Sequence, residues 1–208
     1  MITRIKICGI TRQRDADAAV HAGVDAIGLN FAPVSPRRVD VATAARIAAS
    51  VGTAVKRVGL FVDPAPAEVV RVLDQVELDV LQFHGDESGD FCRSFDAPFM
   101  KVLRVREPLD MAAIEGEYAG ACCLLLDAFV PGVPGGTGQR FDPGLWPAPG
   151  SLPLVLAGGL TPDNVAQAIR RLAPWGVDVS GGVEGPRKGE KDQDRIEKFV
   201  SEVKRARS

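Results

Sequence analysis

Two side chains are placed to move protons from different edges of one pocket: Cys8, ending the run Arg4–Cys8, and Asp127, ending Leu124-Leu125-Leu126-Asp127. A cysteine at an arbitrary position is ordinarily a buried free thiol. Beside cationic groups it holds a lowered pKa and acts as a base or nucleophile near neutral pH. Lys6 lies two residues earlier, on the same face of a strand and one layer deeper. An inward lysine needs a partner, so it either pairs with carboxylates or favours the thiolate. Asp127 has an ordinary reading too, as a helix cap or a loop hydrogen bond. However, the segment Pro131–Gly138 is too rich in glycine and proline to start a helix and reads as a cover over a site. A carboxyl group desolvated beneath such a cover has a raised pKa, suited to donating a proton.

Other polar and small residues stand where apolar runs end: Asn30, Asp63, His84, Arg104, the Gly158-Gly159 turn, and Ser180-Gly181-Gly182. Glycine turns let a backbone approach a phosphate closely and donate amides to its oxygens. Gly158, Gly159, Ser180 and Gly181 are therefore the expected phosphate-binding set. In Ser35-Pro36-Arg37-Arg38 at least one arginine is expected in solvent, and one turned inward has a planar fork suited to a substrate carboxylate. His84 is open between a structural hydrogen bond and substrate contact.

These residues have to be positioned by strands. Eight β-branched or aliphatic runs read as strands: Arg4–Cys8, Ala26–Asn30, Val55–Phe61, Val80–His84, Phe99–Val105, Cys122–Asp127, Leu152–Ala157 and Val177–Ser180. Helical patterns alternate with them over Arg12–Ala22, Val41–Val51, Pro66–Val76, Asn164–Leu172 and Asp192–Ala206, with Thr11, Asp63 and Asp192 as expected caps. In the third of these, Val69, Val70, Leu73 and Val76 read as the apolar face. Phe141–Pro149 holds three prolines, so any helix there is a single turn. Parallel βαβ units follow, because each crossover needs a covering element. An open doubly wound sheet competes with a closed barrel. Cys8-Gly9-Ile10-Thr11 is not the GxGxxG turn of the former, and eight units in 208 residues favour an α/β single-domain (βα)8 TIM barrel spanning residues 1–208. Its active site would lie at the carboxyl ends of the strands.

Bulk composition excludes several classes. A net charge of −2 supplies no basic field for nucleic acid, and no apolar run approaches the roughly 20 residues that span a bilayer. The amino-terminal residues lack a signal-peptide layout, so a cytoplasmic location is expected. Cys8, Cys92, Cys122 and Cys123 lack CxxC spacing, and two histidines cannot build a multi-histidine metal site. Cys122 and Cys123 read as small hydrophobes on opposite faces of a strand. The expected partner is a small phosphosugar, with the chain a monomer or homodimer.

Lys6-Ile7-Cys8-Gly9-Ile10-Thr11, Ser35-Pro36-Arg37, Gln82-Phe83-His84-Gly85, Asp127 with Gly135–Gly138, Gly158-Gly159-Leu160 and Asp178-Val179-Ser180 with Gly182-Val183-Glu184 together resemble the phosphoribosylanthranilate isomerase family of tryptophan biosynthesis. The resemblance runs nearly end to end. It implies an Amadori rearrangement with Asp127 as general acid and Cys8 as general base, Arg37 on the anthranilate carboxylate, a supporting polar role for Asp178, phosphate on the late glycine turns, and no metal or organic cofactor. The chain departs from the family pattern at Gly181, where a second serine is frequent, at Lys188, where the pattern has proline before glycine, and at Pro143, where tryptophan is frequent. A metal-dependent epimerase lacks its histidines here, an indole-forming lyase lacks well-placed lysines, and a barrel that only binds phosphate would have a broken acid–base pair.

Overall fold

The computed structural model describes residues 3–128 and 141–206. Eight strands run β1 (Arg4–Cys8), β2 (Ala26–Asn30), β3 (Lys56–Phe61), β4 (Val80–Phe83), β5 (Phe99–Val105), β6 (Cys123–Ala128), β7 (Leu154–Leu156) and β8 (Gly176–Val179). All pair in parallel with their sequence neighbours, and β1 pairs with β8, closing the barrel. That last ladder decides against the open sheet. The helices are α1 (Gln13–Ala22), α2 (Val41–Val51), α3 (Pro66–Leu73), α4 (Gly89–Arg93), α5 (Met111–Glu117), α6 (Val165–Leu172) and α7 (Gln193–Ala206). Between β6 and β7 the described residues hold only a 3-10 turn, Pro143–Leu145, as the prolines require.

Burial follows the alternation of each strand. Ile5 and Ile7 of β1, Ile27 and Leu29 of β2, and Leu124 and Leu126 of β6 join the main core between sheet and helices. Val58, Met100, Val102, Cys123, Leu125, Val155 and Ala157 form a second cluster inside the barrel. Phe83 is fully buried at the centre of an aromatic group with Phe61, Phe91, Phe95 and Phe99, at ring separations of 5.7–6.4 Å.

Several local expectations are corrected. The buried face of α3 is Val69, Val72 and, just beyond its end, Val76, whereas Val70 is 47% exposed. Thr11 does not cap α1; its hydroxyl donates to the Gly189 carbonyl. Asp63 does not cap α3: it has φ +45° and accepts from the Asp86 amide, while Glu68 accepts from the Ala65 amide at the helix start. Asp192 does cap, accepting from the Arg195 amide at 3.0 Å. Cys122 precedes β6 and is exposed, so only Cys123 is the buried hydrophobe. The short α4 and α5 lie outside the helical patterns read from the sequence, being too brief to show periodicity. No helix among the described residues is long and apolar enough to cross a membrane.

Phe83→Ala removes the ring that four others pack against. It is expected to cost about 3–5 kcal/mol of unfolding free energy. Urea unfolding followed by circular dichroism measures it, and a loss below 1 kcal/mol would show that the cluster collapses to fill the space.

Candidate active site

Alternation along β1 turns Lys6 and Cys8 to the barrel axis, opposite Ile5 and Ile7. Lys6 Nζ donates to Asp178 Oδ1 of β8 at 2.8 Å, with both side chains under 10% exposed. Gly28 of β2 makes the space these groups occupy. A Cβ on Gly28 would stand 2.9 Å from Cys8 Sγ and 3.2 Å from Lys6 Nζ. The expected inward lysine therefore pairs with a carboxylate and also reaches the thiol.

The electrostatics of Cys8 decide a pKa that its place beside Lys6 left open. Burial is the largest influence and pushes the thiol up; Lys6 pulls it down, Asp178 raises it again, and Lys191 lowers it. The net direction is upward, so the resting group is a neutral thiol. For Lys6, burial disfavours the ammonium, but Asp178 and Cys8 outweigh that and hold it charged.

Asp127 sits inside the end of β6, in register with Arg104 of β5. Gly158, at φ +86°, is packed against it: a Cβ there would lie 2.9 Å from Asp127 Oδ1 and 2.5 Å from the Ala128 amide nitrogen. His84 Nε2 stands 3.5 Å from Asp127 Oδ2, and the His84 carbonyl accepts from Arg104 Nη2 at 2.9 Å. His84 thus neighbours the carboxylate while its backbone anchors Arg104. Behind it, Glu87 accepts from the Asp63 and Gly85 amides and pairs with the buried Lys101 at 2.6 Å, which fixes the turn that carries His84. The cover expected over Asp127, Pro131–Gly138, lies outside the described residues.

Arg37 is the arginine that turns inward, and Arg38 is exposed. Its backbone amide donates to Ser35 Oγ, which also accepts from Asn30 Nδ2 at 3.0 Å, so the rim residue Asn30 serves to hold this loop. The Arg37 side chain crosses Gly9, where a Cβ would come within 2.7 Å of its Cδ. Its guanidinium makes a two-point pair with Glu184, Nε to Oε1 at 2.6 Å and Nη2 to Oε2 at 2.9 Å. Glu184 also accepts from Lys191 Nζ at 3.2 Å and from the Gly189 amide at 3.1 Å. The loop with the Lys188 departure is tied at Gly189 by this bond and by Thr11.

The two glycine turns lie against each other. A Cβ on Gly182 would fall 1.9 Å from the Leu160 carbonyl oxygen, so only glycine permits the contact. Gly158 and Gly159 both have positive φ, and Asn164 braces their turn by donating to the Gly159 carbonyl and accepting from the Thr161 amide, each at 2.8 Å. Ser180 presents its carbonyl and hydroxyl to Lys191 at 3.1 and 3.4 Å. Gly181 lies beside Arg37, a Cβ there standing 3.3 Å from Nη2. Asp178 is committed to Lys6 one layer below. Arg37, Lys191 and Glu184 together carry one net positive charge, which suits an anion at this edge.

The residues that reading the sequence did not single out for chemistry are Gly28, Gln82, Glu184 and Lys191. An isolated glycine inside a strand is a signal of close approach, and Gly28 carried it. Gln82 is 1% exposed, and its Oε1 has no hydrogen-bond partner among the described residues. Glu184 was not marked by spacing because its two-point partner Arg37 lies 147 positions away, and Lys191 takes its place through Glu184 and Ser180 in the same irregular segment.

A family model described as N-(5'phosphoribosyl)anthranilate (PRA) isomerase matches residues 5–202. The N-(5'-phosphoribosyl)anthranilate isomerase of Cellvibrio japonicus is 54% identical over 197 residues, covering 95% of this chain and 91% of that protein. The crystal structure of phosphoribosyl anthranilate isomerase from Thermotoga maritima superposes with a TM-score of 0.87 at 37% identity, over 97% of this chain and 98% of the other. A further structure, of the isomerase in complex with reduced 1-(o-carboxyphenylamino)-1-deoxyribulose 5-phosphate, gives 0.79 at 34% identity, over 97% and 98% of the two chains.

The cysteines differ in a measurable way. Cys122 is exposed with its pKa lowered by the Cys123 thiol, Cys92 is pushed up to about 11 by burial, and Cys8 is raised as described. Iodoacetamide at pH 8 is expected to label Cys122 at least about tenfold faster than Cys8, because the thiolate is the nucleophile. Peptide mass spectrometry over time reads this, and preferential labelling of Cys8 would contradict a neutral resting thiol.

Proposed function

The chain belongs to the N-(5'-phosphoribosyl)anthranilate isomerase family, and from that premise we propose that its barrel mouth performs the Amadori rearrangement of N-(5-phosphoribosyl)anthranilate with Cys8 as general base and Asp127 as general acid. The product is 1-(2-carboxyphenylamino)-1-deoxyribulose 5-phosphate, an intermediate of tryptophan biosynthesis. The observation that carries the residue assignment is a thiol held over bare Gly28 beside the Lys6 ammonium, on the same rim as the Asp127 carboxyl group.

Asp127 gives its proton to the ribose ring oxygen as the C1–O bond breaks, and the nitrogen lone pair forms the C=N bond of a protonated imine. Cys8, as the thiolate, then takes the proton from C2, and the C–H electron pair flows into the imine to leave a neutral enolamine. Tautomerisation moves a proton from the C2 hydroxyl to C1 and yields the ketone. The imine is itself the electron sink, so atoms and electrons balance within the substrate and two side chains. Burial makes the Cys8 thiolate scarce but strongly basic, and Lys6 offsets part of the cost of forming it beside Asp178.

Arg37 serves as the ligand of the anthranilate carboxylate, and the turns at Gly158, Gly159, Ser180 and Gly181 take the phosphate through backbone amides. Asp178 acts by fixing Lys6, and His84 borders the acid. We further take the chain to be a single-domain cytoplasmic enzyme, monomeric or homodimeric; a Thermotoga maritima relative is described as dimeric.

Cys8→Ala and Asp127→Ala are each expected to lower turnover by about 10²–10⁴-fold or more, with the circular-dichroism spectrum unchanged. The loss of anthranilate-type fluorescence on conversion of fresh substrate is the assay, and a near-normal rate in either variant removes that residue from the mechanism. The pH dependence has a definite sign. Cys8 has a raised pKa and only its thiolate is alkylated, so its labelling rate with iodoacetamide climbs as pH rises through 7 and 8 instead of levelling. A labelling rate already level by pH 7 would show that the Cys8 thiol is ionised at rest.

A further inference from the structure

We infer that Glu184 is a positioning residue for substrate recognition: it holds Arg37 by its Nε–Nη2 edge, so that the terminal Nη1–Nη2 edge is presented to the substrate carboxylate. This rests on the reading of Arg37 as the carboxylate ligand and adds to it the group that sets the direction of its fork. A guanidinium has five N–H donors, arranged so that two adjacent edges can each meet a carboxylate in parallel. Glu184 takes one edge, with Nε at 2.6 Å and Nη2 at 2.9 Å. Three hydrogens remain, two on Nη1 and one on Nη2, enough for a second two-point contact.

The surroundings make this arrangement rigid. Glu184 is 6% exposed, and it cannot swing away freely because Lys191 Nζ and the Gly189 amide share its Oε1. Lys191 is fully buried, and its ammonium is secured to the Ser180 carbonyl. Arg37 is confined from the other side by the bare backbones of Gly9 and Gly181. The charge balance also fits. Arg37 alone beside Lys191 would be two neighbouring cations, whereas Glu184 between them leaves a net single positive charge for an incoming anion. A substrate carboxylate then meets a fork already aimed, without having to order a mobile arginine side chain.

The test compares two substrates: N-(5-phosphoribosyl)anthranilate and N-(5-phosphoribosyl)aniline, which lacks the carboxylate but keeps the reacting sugar. The ratio of their kcat/KM values reports carboxylate recognition and is insensitive to general damage. Glu184→Gln is expected to reduce this ratio about tenfold or more, mainly through KM for the anthranilate substrate, and Arg37→Ala to reduce it at least as far. The double variant should show little further loss, since both changes remove one unit. Equal losses on both substrates in Glu184→Gln would assign Glu184 a purely structural role and overturn the inference. An unchanged ratio in Arg37→Ala would instead remove Arg37 from carboxylate recognition, and with it the premise.

Should Glu184→Gln fail to fold, the wild-type protein supplies an independent readout. The Arg37 Nε–H signal in nitrogen-15 NMR is expected to stay hydrogen-bonded and slow to exchange, both free and with reduced 1-(o-carboxyphenylamino)-1-deoxyribulose 5-phosphate bound. Loss of that protection on binding would mean that the ligand displaces Glu184, and the inference would fall.

Discussion

The Lys6–Asp178 ion pair lies on the seam where the barrel closes, and the rest of the site is arranged about it. The two residues are register partners across the β1–β8 ladder, the contact between the two ends of the chain's strand order. Two buried charges at 2.8 Å tolerate no slip, because moving either strand by one residue would turn one charge outward and strand the other. Removing one partner alone leaves an uncompensated charge, at a cost of about 3–5 kcal/mol. The pair therefore makes closure specific, and it also places an ammonium under Cys8.

This placement sets the charge balance around the buried thiol. Burial and Asp178 oppose the thiolate, while Lys6 and Lys191 favour it. The balance keeps Cys8 protonated at rest, so a reactive thiolate is not permanently displayed, yet a counter-charge is in place when the proton leaves. Gly28 is the steric condition for this, since any side chain there would press on the sulfur and the ammonium together.

The adjoining stretch of the rim, after the neighbouring strands β2 and β8, follows the same rule of charges compensated in advance. Glu184 links Arg37, Lys191 and the Gly189 amide, joining the loop after β2, the turn after β8 and the segment leading into α7. Glu87 does comparable work behind His84 with Lys101 and the Gly85 amide. Both carboxylates are buried, both are saturated with donors, and both fix loops that would otherwise carry functional side chains on mobile backbone. The network around Glu184 and the one around Lys6 thus meet at Lys191, which acts electrostatically on Cys8.

The sequence by itself determined the strand–helix alternation, the position of Cys8 and Asp127 at strand ends, the inward turn of Lys6 and the lateness of the glycine turns. These follow from periodicity and from residue chemistry that acts over a few neighbours. It also carried enough of a family pattern, from Lys6–Thr11 to Glu184, to indicate the reaction. Helix boundaries were legible only where caps and periods were strong: Asp192 acts as read, while Thr11 and Asp63 satisfy distant groups instead. Tertiary structure alone decided the direction of the Cys8 pKa, because desolvation depends on what surrounds the sulfur and not on Lys6 two residues away. It also gave Lys6 both of its open fates, the pair with Asp178 and a place beside the Cys8 thiol, and brought Glu184 to Arg37 across 147 positions of chain. Charge compensation in a closed barrel is a relation between strands that meet only when the ring is complete, and local sequence holds no record of that distance.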